Sequence, residues 1–165
     1  MALRIRDLLA DLGLDAWVKT SGGLGLHVFV PLNSPVSYEQ TKGFAHAMAL
    51  LLEREQPEAV TSVMARARRP GKVFVDWSQN DFGKSTVAPY SLRGLDVPTA
   101  STPVTWEEVS DAAASGEVRR LRFLAHDVVP RAEEGDLFAP VLSLQQALPT
   151  FPAPGPDVRP ARGMS

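Results

Sequence analysis

The 165-residue sequence predicts one α+β domain, a mostly antiparallel sheet flanked by helices. Three observations predict it. Trp17-Val18 and Leu26 to Val30 are β-forming runs separated by the Gly-rich Ser21-Gly22-Gly23-Leu24-Gly25, a strand, loop, strand pattern. Val73, Phe74 and Val75 form another such run, and after a polar loop from Ser78 to Lys84 the chain returns through Thr86-Val87, which predicts an antiparallel partner. Around these runs lie segments of helical periodicity.

The elements follow in order. Leu3, Ile5, Leu8, Leu9 and Leu12 recur at helical spacing and Gly13 follows as a stop, so residues 3–12 read as an amphipathic helix. Ser37 with Gln40 three residues on is a capping-box pattern, and Phe44, Ala47, Met48, Leu51 and Leu52 mark one face of a helix that closes before Pro57. Residues 58–65 fit helix or strand equally. Thr105 with Glu108 is a second capping box opening a short helix, and residues 118–126 have the apolar spacing of another. From Leu148 on, Pro is frequent and apolar anchors are few, too little burial to offset ordering entropy, so a disordered tail is expected over 148–165 and the domain over 1–147.

Composition narrows the chemistry. Lys+Arg of 17 against Asp+Glu of 19 gives a net charge of -2, which excludes a uniformly basic nucleic-acid coat but not local clusters. Without Cys there is no disulfide, thiolate nucleophile or Cys-ligated zinc site, and the three His are too scattered for a compact metal motif. No apolar run reaches the ~18 residues of a membrane span, and MALRIRDLLADLG lacks a signal-peptide core, so a soluble, cytoplasmic protein without a membrane partner is expected.

Four sets of residues carry candidate chemistry. In Lys19 to His27, Gly22, Gly23 and Gly25 allow close backbone approach, and Ser21 and His27 bracket the loop with side-chain donors, a cradle for phosphate oxygens or a plain hairpin. Gly83-Lys84-Ser85-Thr86 imitates the end of a P-loop, but Ser78 stands where that motif needs Gly and β-branched residues follow where it needs a helix. Asp76 ends an apolar strand, as a metal-binding carboxylate or a turn acid would, and Arg93 ends another β-like stretch where its fork could grip a phosphate. Arg66, Arg68, Arg69 and Lys72 read as a nucleic-acid backbone contact or a solvated loop, Arg119, Arg120 and Arg122 as a wet helix face, and His46 and His126 as packing or surface residues.

Taken together, KTSGGLGLHVFVPL (19–32), GKVFVDWSQ (71–79) and KSTVAPYSLR (84–93) resemble, in order and spacing, the polymerase domain of bacterial DNA ligase D, over about residues 3–125. That family belongs to the archaeo-eukaryotic primase superfamily and acts in nonhomologous end joining. The resemblance implies the C-terminal part of a primase-like catalytic palm, with template-directed addition of nucleotides, often ribonucleotides, to a DNA 3′-hydroxyl using Mn²⁺ or Mg²⁺. It implies that Ser21 and His27 bind the incoming nucleoside triphosphate with Arg93 as a further phosphate contact. Asp76 corresponds to the last metal-binding acid, placed to help the primer 3′-hydroxyl attack. Asn80 and Lys84 fall in the same motif block. DNA ends are the implied partner, with the ligase and Ku proteins of end joining.

One departure stands out. In this family a strand bearing an Asp-x-Asp pair lies shortly before the helix that here begins at Leu3, so the resemblance reads as N-terminally truncated. Asp7 and Asp11, an i, i+4 pair on that helix, and Asp15, beyond its stop, do not replace the pair. The expectation is a chain inactive alone: a half-enzyme completed by a separate chain, a noncatalytic nucleotide- or DNA-binding module, or a remnant without its own function. Without the flanking strands, an open sheet edge is expected.

Overall fold

The computed structural model describes residues 1–149, so most of the expected disordered tail lies outside the described residues. Helix α1 (Ala2–Asp11) ends as its sequence predicts: Gly13 takes the left-handed φ of 73° and donates to the Ala10 carbonyl at 2.9 Å, while Leu9 is buried. Strands β1 (Trp17–Thr20) and β2 (Leu26–Phe29) form the predicted hairpin, with Lys19 opposite His27. Helix α2 (Tyr38–Glu55) begins at Ser37 with both capping-box bonds in place.

Two expectations are corrected. The apolar run at 73–75 pairs not with Thr86-Val87 but in parallel, as β4 (Val73–Phe74), with β3 (Val60–Thr61). The Glu53 carboxylate explains the choice: it accepts from the Ser62 amide at 3.1 Å and from the Ser62 and Thr61 hydroxyls, fastening the chain beyond α2 where β4 can reach it. The Val87 carbonyl is occupied elsewhere, by Lys19. Residues 118–126 are likewise not one helix. They form a 3₁₀ turn (118–121) and strand β8 (Phe123–Leu124), which places Phe123 in the core opposite Ala100, and α4 (Ala125–Glu134) starts only afterwards, its Asp127 side chain accepting from the Leu124 amide at 2.7 Å.

The centre of the molecule is a segment with few apolar residues. Thr99, Ala100, Ser101, Thr102, Pro103 and Val104 are all buried and form β6 (Thr99–Ala100) and β7 (Pro103–Val104), two halves of one bent strand. Strand β7 pairs with β1 in the sheet β2-β1-β7, and β6 lies between β5 (Leu92–Arg93) and β8. At the bend every buried polar group finds a partner. The Thr20 amide donates to Thr102 O at 2.8 Å, the Thr102 amide to Thr20 Oγ1 at 2.9 Å and the Ser101 hydroxyl to Thr20 O at 2.7 Å. Val18, Ala100, Val104, Phe123 and Val128 join Val109 of α3 (Trp106–Ser115) in the apolar core below. The pairing is mostly antiparallel with helices outside, an α+β arrangement.

Candidate functional site

Lys19 is fully buried at the middle of β1, yet among the described residues no carboxylate touches it. Its Nζ lies 2.9 Å from Val87 O, 2.5 Å from Ser101 Oγ and 3.2 Å from His27 Nδ1. Burial, and then the positive charge of Arg93, push its amine down to about 8. The half-buried His27 is also held below its ordinary value, first by burial, then by the Lys19 and Arg93 charges, with Asp76 pulling the other way. Groups from three other segments thus act on His27 of β2: Lys19 of β1, Arg93 of β5 and Asp76 after β4.

The Gly-rich loop is built differently from the cradle its sequence suggests. Ser21 Oγ accepts from the Gly23 and Gly25 amides, each at 3.1 Å, so those amides face the serine and not outward, while the hydroxyl proton stays available to a ligand. Gly22 takes a φ of 70°, and a Cβ there would lie 2.5 Å from Arg93 Cγ and 3.1 Å from the Ser101 amide nitrogen. The loop therefore rests against the stem of Arg93, bringing Ser21 and Arg93 to one place. Tyr90, at a φ of 63°, turns the chain into β5; its amide donates to Ser101 O at 2.6 Å.

Asp76 is exposed and caps the short turn 77–79, accepting from the Ser78 amide at 3.2 Å, the Ser78 hydroxyl at 2.6 Å and Gln79 Nε2 at 3.2 Å. The turn reading of this acid is what the structure shows, and its charge also acts on His27. Trp77 anchors the turn, donating to Ser62 O at 3.0 Å and stacking on His46 at 3.9 Å, which accounts for His46 as a packing residue. Asn80 donates to Trp77 O at 3.1 Å. Among the described residues no three His, Asp or Glu side chains gather as a metal site. Asp7, Asp11 and Asp15 are exposed. Asp76 by itself fits one ligand position of a divalent ion, not a complete site.

The basic stretches are partly folded back. The Arg69 guanidinium lies 3.7 Å over the Phe74 ring and donates to Met64 O, and Lys72 donates to Pro57 O. The segment from Lys84 to Pro89 is irregular, without the helix a P-loop requires. Among the described residues no helix is long and apolar enough to cross a membrane.

A family model described as the LigD primase-polymerase domain matches residues 1–138. The chain belongs to the LigD primase-polymerase family. It is 46% identical over 142 residues to the multifunctional non-homologous end joining protein LigD of Mycolicibacterium smegmatis, covering 86% of this chain and 18% of that protein. To the multifunctional non-homologous end joining DNA repair protein LigD of Mycobacterium tuberculosis it is 48% identical over 139 residues, covering 83% of this chain and 17% of that one. The solved polymerase domain of Mycobacterium tuberculosis ligase D in complex with DNA superposes with a TM-score of 0.76 at 45% identity, over 85% of this chain and 47% of that chain. The LigD match bears out the α+β palm and the end-joining family. The chain spans less than a fifth of the curated relatives.

Sequence reasoning had Lys19 in the first motif but gave it no role. The signal was present: a Lys between Val18 and Thr20 in a β run. The strand 99–104 had no such signal, because Thr, Ser and Pro dominate it.

Proposed function

We propose that residues 1–147 form the triphosphate-binding side of a LigD polymerase site that works at DNA ends in nonhomologous end joining, in the cytoplasm. His27 and Ser21 donate to the phosphate oxygens of the incoming nucleoside triphosphate, and Arg93 adds a fork-shaped contact. Asp76 is one carboxylate ligand for Mn²⁺ or Mg²⁺ beside the primer 3′-hydroxyl. A divalent ion bound there supplies charge neutralisation for nucleotidyl transfer. The chain's own residues position the triphosphate and offset its charge. The ligase and Ku proteins are the partners this reading implies. The observation that carries it is that Lys19 Nζ lies 3.2 Å from His27 Nδ1 while Gly22, next to Ser21, packs against the Arg93 stem, with the charges of Lys19, Arg93 and Asp76 all acting on His27. Such a field suits a polyanion accompanied by a metal.

A second reading, nucleotide or DNA binding without transfer, is favoured for the chain acting alone by the single carboxylate at the site, since two metals need several acids against their mutual repulsion. Titration with inorganic tripolyphosphate tests the binding. His27→Ala is expected to weaken it about tenfold, equivalent to about 1.4 kcal/mol, while Asp76→Ala leaves it intact; equal affinities for the two variants would defeat the proposal. Primer extension with Mn²⁺ tests the transfer. No incorporation above an Asp76→Ala control is expected from the isolated chain, and incorporation on adding a segment that carries the Asp-x-Asp pair would establish the half-enzyme.

A further inference from the structure

We infer that Lys19 is the positioning residue for His27: its buried ammonium holds the imidazole in the tautomer that carries the proton on Nε2, leaving that donor for an anion. The inference rests on the proposed function only for the identity of the anion. The tautomer follows from counting protons. An ammonium has three N–H donors and no lone pair. Val87 O, at 2.9 Å, can only accept. Ser101 Oγ, at 2.5 Å, gives its own proton to Thr20 O at 2.7 Å, so towards Lys19 it too accepts. The third donor points to His27 Nδ1 at 3.2 Å, which must then carry no proton, and a neutral imidazole so arranged bears its hydrogen on Nε2.

A neutral amine at Lys19 reverses the arrangement. It has two donors, enough for Val87 O and Ser101 Oγ, and one lone pair that accepts from a protonated Nδ1. Nε2 then becomes an acceptor and repels a phosphate oxygen. The groups that decide between the two states are His27 on β2, Arg93 on β5 and Ser101 at the bend, with Asp76 acting on His27 from beyond β4. Burial with the nearby Arg93 charge brings the amine down to about 8, so the ammonium dominates at neutral pH and the amine well above it.

The test is nitrogen-15 NMR of the histidine ring nitrogens in the full chain, with the His27 signals assigned by their loss in His27→Gln. At pH 7 the expected pattern is an unprotonated Nδ1 and a protonated Nε2, reversing between pH 7 and 9.5. In Lys19→Met the reversal is lost, because no group remains to drive it. Tripolyphosphate affinity of the wild type is expected to fall about tenfold over the same range and that of Lys19→Met to stay flat. A protonated Nδ1 at pH 7, or a reversal that persists in Lys19→Met, overturns the inference. If Lys19→Met does not fold, the wild-type pattern still decides it, and Ser101→Ala, which frees one ammonium donor, is expected to keep the Nε2–H form. A wild type that shows the tautomer but does not bind tripolyphosphate supports the positioning role and refutes the proposed function instead.

Discussion

Lys19 and Arg131 are two cations drawn into the same domain and treated in opposite ways. Arg131 of α4 meets Glu108 of α3 as a fork, at 2.8 and 2.9 Å, and donates again to Pro103 O at 3.2 Å. Burial works to raise the Glu108 carboxyl, but the hydrogen bonds from Arg131 and the Thr105 amide outweigh it and hold the group below its ordinary range. Lys19 has only neutral acceptors and stands beside a second cation, Arg93. The difference separates a fastening from the site proposed above. A charge that is matched inside the fold ties α4 to α3 and β7, whereas a charge left unmatched keeps its field for something that arrives from outside.

The largest effect is expected from breaking the matched pair. Glu108→Gln leaves the Arg131 guanidinium without its carboxylate and weakens the cap of α3, and unfolding in urea should show a loss of about 2 kcal/mol, reduced from the value for a fully buried pair because both side chains keep some contact with water. At the other cation, removing a neighbouring charge should leave stability almost unchanged. Arg93→Met removes a like charge, so stability in urea should stay within about 0.5 kcal/mol of the wild type. The amine of Lys19 should then titrate above about 8, and tripolyphosphate affinity should fall about tenfold.

The smallest effects lie in pH dependence, and their signs differ. The Glu108 carboxyl is depressed in the folded chain, so its contribution is present above its ordinary 4.5 and is lost as pH falls through the lower folded value. Lys19 is a base depressed from 10.5 to about 8, so between those values the unfolded chain holds the extra proton and stability rises with pH. Unfolding of the wild type against Lys19→Met from pH 7 to 10.5 isolates that slope, and a flat difference would mean that the fold leaves the Lys19 amine at its ordinary 10.5.

Local sequence marked the elements whose instructions are local. The capping boxes at Ser37 and Thr105 and the stop at Gly13 act within a few residues, and each appears as its spacing predicts. The hairpin of β1 and β2 was legible for the same reason. The partner of β4 was not, because Val73 and Phe74 are equally suited to either neighbour, and the choice was made by Glu53 on a helix some twenty residues away. Nor was the buried strand at 99–104, whose Thr and Ser are tolerable in the core because Thr20, Gly22, Lys19 and the Ala100 carbonyl satisfy them.

By itself the sequence determined the end of α1, the capped starts of α2 and α3, the Gly-rich hairpin, the α+β class and the family, since each is written in residue type and short-range order. Only the tertiary structure decided that Ser21 closes its own loop, that Gly22 seats Arg93, and that Lys19 lies against His27 with no acid to meet it among the described residues. Those facts depend on which distant groups share a small, water-poor space, and charge acts through space according to separation and burial, not according to position along the chain.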